Sequence, residues 1–180
     1  MAGRLVVLGL GYVGLPLAQA AARAGWRVDG FDVSSRVVQS LNAGASHVDD
    51  LCDADVAEML ELGFRATTDP GVVADADVAV ICVPTPLGDG GTPDLDAVRA
   101  AAGTVARGLR PGATVVLEST SYPGTTEGVV LPILQAQGHT HGDDFLLAFS
   151  PERVNPGFPE YGITNTPKLV GGITPAATDA

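Results

Sequence analysis

Gly9-Leu10-Gly11-Tyr12-Val13-Gly14 sets three glycines at the spacing Gly-x-Gly-x-x-Gly, and Asp32 follows 18 residues after Gly14. Glycines alone would mark only a turn. Here they follow an aliphatic run, open an Ala-rich segment and lie within a strand–helix–strand unit whose second strand ends on the acid. That context reads as a dinucleotide site. Gly9 allows the tight turn, Gly11 lets the backbone approach a pyrophosphate, and Gly14 lets helix and strand pack closely. Tyr12 and Val13, between them, count among the cofactor contacts. Asp32 accepts hydrogen bonds from a ribose diol and would repel a 2′-phosphate, which favours NAD over NADP. Arg36 complicates this, either by lying over the adenine or by neutralising a phosphate.

Further chemistry-bearing residues sit where strands should end: Val83-Pro84-Thr85-Pro86, Glu118-Ser119-Thr120 and Ser150-Pro151-Glu152-Arg153. In an open α/β sheet, loops at the carboxyl ends of the strands converge on the ligand crevice. "LESTSYPGTTE" is one of these loops and is far more polar than a turn requires. Thr125 or Thr126 is expected to cap the helix that follows. Capping does not account for Ser119, Thr120 and Glu152 at neighbouring strand ends.

The elements that must position these loops alternate along the chain. Strands are expected over 5–9, 27–32, 64–67, 77–83, 114–118 and 145–149, and helices over 12–24, 34–42, 56–62, 94–109 and 125–137, with another helix start at Asp69-Pro70. "DVAVICV" and "FLLAF" are apolar on consecutive residues, so both faces are buried, as in a parallel sheet. Alternating strands and helices joined by right-handed crossovers give a Rossmann-like, doubly wound α/β fold with a mostly parallel sheet and helices on both faces. No repeat or linker divides the chain, so residues 1–180 read as one domain. "PKLVGGITPAATDA" begins another strand and helix, which suggests a chain ending partway through a longer protein.

Composition narrows the partners. The chain has 180 residues, 46% hydrophobic, with 23 glycines and a net charge of −11. That charge argues against nucleic acid or an acidic membrane surface as partner, since both require a basic face. An anionic ligand must be held locally, by helix N-termini and backbone amides. Cys52 and Cys82 lack metal or redox spacing, which makes a reducing cytoplasm the default compartment. His139 and His141 could share one side of a strand as metal ligands, but "GHTHGDD" reads more naturally as a solvated loop, and no metal is expected. The N-terminal apolar run imitates a signal peptide; three glycines and Pro16 interrupt it, so export is not expected.

Together, "LGLGYVGLPLA", "CVPTPL…PDL", "ESTSYPGTTE" and "FSPERVNPG" resemble the N-terminal, NAD-binding half of the UDP-glucose/GDP-mannose dehydrogenase family, almost from end to end of the chain. Three details point within the family. UDP-glucose enzymes usually read Val-Gly-Thr-Pro where this chain has Val83-Pro84-Thr85-Pro86, and Ser-Thr-Val-Pro where it has Ser119-Thr120-Ser121-Tyr122-Pro123. They also carry a second glutamate where this chain has Pro156. These departures agree with the branch acting on UDP-N-acetyl-hexosamines, of the UDP-N-acetylglucosamine 6-dehydrogenase type. The family's frequent basic residue after the ribose acid falls on Val37, with Arg36 one place earlier.

The resemblance implies oxidation of a sugar C6 alcohol to a carboxylate with two NAD and one water, through an aldehyde and a cysteine thioester. It implies that Thr120 helps position the water and that Glu152 serves the acid/base and hydrolysis steps. Val83, Pro84, Thr85, Ser119 and Thr120 would line the cofactor, and Glu152 and Arg153 would lie near a UDP-sugar. The family's nucleophilic cysteine, in a Gly-Gly-x-Cys motif, and its catalytic lysine and asparagine lie well beyond this length. So do the central helix, most of the UDP-sugar-binding surface and the main contacts of a homo-oligomer. Cys82, within an apolar strand, reads as a core residue, and Cys52 has no nearby base, so the fragment is expected to bind NAD without turnover. The alternatives are another Rossmann NAD-dependent oxidoreductase, for which "SPERVNPG" is foreign, and a non-catalytic nucleotide-binding module.

Overall fold

The computed structural model describes residues 3–153 and 165–180. Five short strands come first: β1 (Arg4–Leu8), β2 (Arg27–Phe31), β3 (Arg65–Thr67), β4 (Val78–Ile81) and β5 (Ala113–Leu117). β6 (Phe145–Phe149) and β7 (Gly171–Gly172) complete a seven-stranded sheet ordered β3-β2-β1-β4-β5-β6-β7. Every pairing is parallel except β6 with β7. This is the doubly wound α/β architecture expected from the alternation, with one antiparallel edge strand.

The helices are α1 (Gly14–Arg23), α2 (Ser35–Asn42), α3 (Asp53–Glu61), α4 (Asp96–Gly108), α5 (Leu131–Gln135) and α6 (Pro175–Asp179). Asp69-Pro70 starts a short 3-10 turn, Pro70–Asp75, with the Asp69 carboxylate accepting from Gly71 N–H. Side chains alternate across the sheet. Val6 and Leu8 therefore join a core with α4 and α5, while Leu5 and Val7 join a second core with α1 and α3. Both faces of β1 are thus sealed, which is why its sequence is a continuous apolar run.

Two expectations are corrected. Neither Thr125 nor Thr126 caps a helix with its side chain. Thr125 donates its hydroxyl back to the Tyr122 carbonyl at 2.8 Å, and the helical segment opens as a π-turn over Thr126–Val130 before α5. β4 ends at Ile81, so Cys82 is the first loop residue after the strand and no longer a strand residue. Pro156, one of the three positions that point to the family branch, lies outside the described residues.

Candidate functional site

The register of the sheet sets the site. Leu8 pairs with Phe31 and with Ile81, Ile81 pairs with Leu117, and Leu117 pairs with Phe149. Five strands, β1, β2, β4, β5 and β6, therefore end at one level. The ladder then runs one step further: Gly9 N donates to Phe31 O, Cys82 N to Leu8 O and Glu118 N to Ile81 O, each at 2.8 Å, and Ser150 N to Leu117 O at 3.0 Å. Each loop's first residue is thus anchored to the neighbouring strand, and the four motifs emerge side by side.

The Gly-rich turn is built as its spacing requires. Gly9 has φ of +94°, a conformation that side chains resist. A Cβ on Gly14 would stand 1.9 Å from the Gly9 carbonyl oxygen and 3.1 Å from Cys82 Cβ, so α1 packs on the turn only with glycine there. A Cβ on Gly11 would meet nothing within 4 Å. Steric packing inside the protein does not demand glycine at that point; open approach from outside does. No side chain caps the N-terminus of α1 and no acid occupies its first turn. Leu15 and Leu17 N–H already bond Gly11 O and Val13 O and residue 16 is a proline, so an anion would be met by the N–H groups of Tyr12, Val13 and Gly14 just before them.

Asp32 is held ready. Its Oδ2 accepts from Leu10 N at 3.0 Å and its Oδ1 from Ser34 N at 2.8 Å, which ties the acid to the Gly-rich turn and to the start of α2. Each carboxylate oxygen keeps lone-pair capacity for a diol. The acid lines a cavity of about 270 Å³ with Gly9, Phe31, Val33, Val83, Pro84 and the α4 residues Ala97, Ala100, Ala101 and Thr104. These walls are mostly apolar, and Val33 is 87% exposed, so an apolar group can lie against it.

A second cleft of about 310 Å³ shares Gly9, Val83 and Pro84 with the first and extends past Gly11, Tyr12 and Val13 to Thr85, Ser119, Thr120 and Glu152. The two hollows meet over the Gly-rich turn, the arrangement a two-part nucleotide needs. Ser119 is buried and its hydroxyl is a brace: it accepts from Val83 N at 3.1 Å and donates to Ile81 O at 3.2 Å. Thr85 donates to Thr120 O at 2.5 Å, linking the same two loops at the rim. Glu152 Oε1 accepts from Arg153 N at 2.7 Å. Tyr12 carries its hydroxyl outward, 3.4 Å from Asp49.

Arg36 and Arg153 are exposed and line neither cavity. Cys82 and Glu118, which sequence reasoning left outside the site, do line the second. Burial pushes the Cys82 thiol up to about 12, with Glu152 adding to the rise and Lys168 opposing it, so the sulfur stays protonated at neutral pH. Cys52 is exposed at the start of α3 with its Sγ 3.0 Å from Asp55 Oδ2, and it lines neither cavity. The α4 alanines were also missed. The signal available for them was "AVRAAAG", whose small residues let a helix approach a ligand without filling the space. His139 and His141 pack edge-on against Phe145, and no cluster suited to a metal occurs among the described residues. No helix among them is long and apolar enough to cross a membrane.

Comparison with known proteins agrees with this geometry. The family model described as "UDP-glucose/GDP-mannose dehydrogenase family, NAD binding domain" matches residues 3–180. A UDP-N-acetyl-D-mannosamine dehydrogenase of Pyrococcus horikoshii is 39% identical over 98% of this chain and 42% of its own length. A UDP-N-acetyl-D-glucosamine 6-dehydrogenase of Salmonella typhi is 37% identical over 95% of this chain and 40% of its own. The solved NDP-N-acetyl-D-galactosaminuronic acid dehydrogenase of Methanosarcina mazei superposes with a TM-score of 0.89 at 34% identity, over 99% of this chain and 40% of that one. The chain thus spans about two-fifths of the length of these relatives. The cofactor of the matched domain is NAD, and the open space at Gly11, the uncapped α1 and the oriented Asp32 fit it. This chain belongs to the UDP-glucose/GDP-mannose dehydrogenase family, as its NAD binding domain.

Proposed function

We propose that this chain is the cofactor-binding part of an enzyme that oxidises the C6 alcohol of a UDP-N-acetyl-hexosamine to a carboxylate with two NAD. The alignment of five strand ends around one double hollow carries the reading, because it gathers residues of all four motifs and Asp32. Relatives at 37–39% identity named for UDP-N-acetyl-sugars support the substrate class. On this reading the adenosine lies in the hollow with Asp32 and Val33, the pyrophosphate against Gly11, Tyr12 and Val13, and the nicotinamide in the hollow of Val83, Pro84, Thr85, Ser119 and Thr120. Bound NAD supplies a hydride acceptor. Thr120, exposed at the rim, holds a water. Glu152, half-buried in the same cleft, takes and returns the proton, and Arg153 faces the sugar nucleotide.

The chain's two cysteines bear on turnover. A thioester needs a thiolate beside the reacting carbon. Cys82 is a buried thiol held protonated, and Cys52 is outside the cleft. The 180-residue chain therefore binds NAD without oxidising sugar, and the UDP-sugar site and homo-oligomer contacts are completed by further segments of the protein. Incubation of the purified chain with NAD and UDP-N-acetylglucosamine or UDP-N-acetylmannosamine tests this. NAD binding without NADH formation is expected, and steady NADH formation would overturn the inactivity claim.

A further inference from the structure

Glu118 is the most buried carboxylate bordering the nicotinamide-side cleft, with 5% of its side chain exposed, and Lys168 meets it from 50 residues away. The lysine precedes β7, whose antiparallel pairing with β6 returns the chain beside the cleft. A buried carboxylate without its cation would be very costly, so the pair stands or falls together. Neither charge is used by the steps assigned to Thr120 and Glu152. The pair's position raises a different question: what a charge there does to a ligand whose own charge changes.

The nicotinamide ring is cationic in NAD and neutral in NADH. A fixed charge beside it therefore discriminates between the two forms, whereas packing or hydrogen bonding to the rest of the cofactor acts on both alike. Glu118 borders the cleft, and its partner Lys168 is not among the residues that line it. From the geometry we infer that the Glu118–Lys168 pair is a charge-balancing device that sets the relative affinity of this domain for oxidised and reduced cofactor. The neutral pair holds a negative end toward the ring, favouring NAD, while its lysine limits the preference so that NADH is not rejected outright. Among the described residues Glu152 also lines the cleft; it is unchanged in every variant below, so its contribution to the ratio is constant. The inference rests on reading this cleft as the nicotinamide side.

The test measures dissociation constants of NAD by calorimetry and of NADH by its fluorescence, for the 180-residue chain and its variants at neutral pH. Lys168→Met bares the carboxylate and should raise the ratio Kd(NADH)/Kd(NAD) by about tenfold, the factor that 1.4 kcal/mol represents. Glu118→Gln bares the ammonium and should lower the ratio by a similar factor. The double variant Glu118→Gln/Lys168→Met removes both charges and should return the ratio to within about threefold of wild type. Should the single variants not fold, the exchange Glu118→Lys/Lys168→Glu places the cation on the cleft side and should lower the ratio.

A purely architectural pair would change both constants together and leave the ratio fixed, and that result would overturn the inference. Asp32→Ala separates the two levels of the reading. If wild type binds NAD in an Asp32-dependent manner while the ratio stays constant across the charge variants, the charge-balance inference fails and the cofactor reading stands. If wild type binds no NAD, both fail.

Discussion

Gly11 and Gly14 have the same side chain, lie three residues apart and should respond to the same substitution in opposite ways. In Gly14→Ala the new methyl falls 1.9 Å from the Gly9 carbonyl oxygen and 3.0 Å from its carbon. Both obstacles are backbone and cannot rotate aside, so α1 must move off the turn. Overpacking typically costs about 1–3 kcal/mol, and a rigid neighbour puts this case near the top of that range. At about 2–4 °C per kcal/mol for a domain of this size, the thermal midpoint should fall by roughly 6–12 °C. In Gly11→Ala the methyl meets nothing within 4 Å, and Gly11 does not have positive φ. Stability should change by no more than about 0.5 kcal/mol. The same methyl would stand where the pyrophosphate must approach, and a clash of about 1–3 kcal/mol weakens NAD binding by roughly 5- to 150-fold. Differential scanning fluorimetry without ligand and calorimetric titration with NAD separate the two effects. If Gly11→Ala lost stability but kept its affinity, or Gly14→Ala kept its midpoint, the assignment of contact and packing roles would be refuted.

Other expectations follow from the same geometry. Asp32→Ala should weaken NAD by about 1.5–3 kcal/mol, the range for hydrogen bonds to a charged group; titration of the variant alongside wild type checks it. Iodoacetamide at neutral pH should alkylate Cys52 and spare Cys82, whose buried thiol is pushed up to about 12; peptide mass spectrometry showing comparable labelling at both would contradict the assignment. Asp55 is held below its ordinary value of 3.8 first by its hydrogen bond from the Cys52 thiol, then by Cys52 N–H, Gln19 and Arg23. A depressed carboxylate contributes stability that is present above its unfolded value and lost as pH falls through the folded one. Asp55→Asn should therefore lower stability at pH 7, on the order of 1 kcal/mol, and flatten the acid limb below about pH 4 in denaturant titrations. A variant with the wild-type acid limb would remove Asp55 from that role. In a complete enzyme, Glu152→Gln should preserve NAD affinity and impair sugar oxidation, read as a fall in kcat.

The sheet was legible because its signals are local. "RLVVL", "VAVI" and "FLLAF" bury both faces and can be little else in an α/β chain, and the glycine spacing with Asp32 is set within a single strand–helix–strand unit. What escaped depends on distance along the chain. The bond between Glu118 and Lys168 joins two motifs 50 residues apart, and the brace from Ser119 to Val83 and Ile81 depends on a strand register that composition does not encode. Thr125 illustrates a local miss: its backbone is already helical (φ −58°, ψ −41°) and not in the extended conformation from which a cap's oxygen reaches an N–H, and its hydroxyl donates to the Tyr122 carbonyl. Arg36 sits in the first turn of α2, exposed and lining neither hollow, which sequence spacing alone could not reveal.

A double hollow over the Gly-rich turn with Asp32 oriented in one half of it predicts a site for NAD that disfavours a 2′-phosphate. A calorimetric titration of the 180-residue chain with NAD and with NADP tests it most directly. Saturable binding of NAD, at least about tenfold tighter than NADP, as the acidic ribose contact requires, and weakened in Asp32→Ala, is the predicted result. Absence of NAD binding, or equal affinity for the two cofactors with Asp32→Ala indistinguishable from wild type, would contradict it.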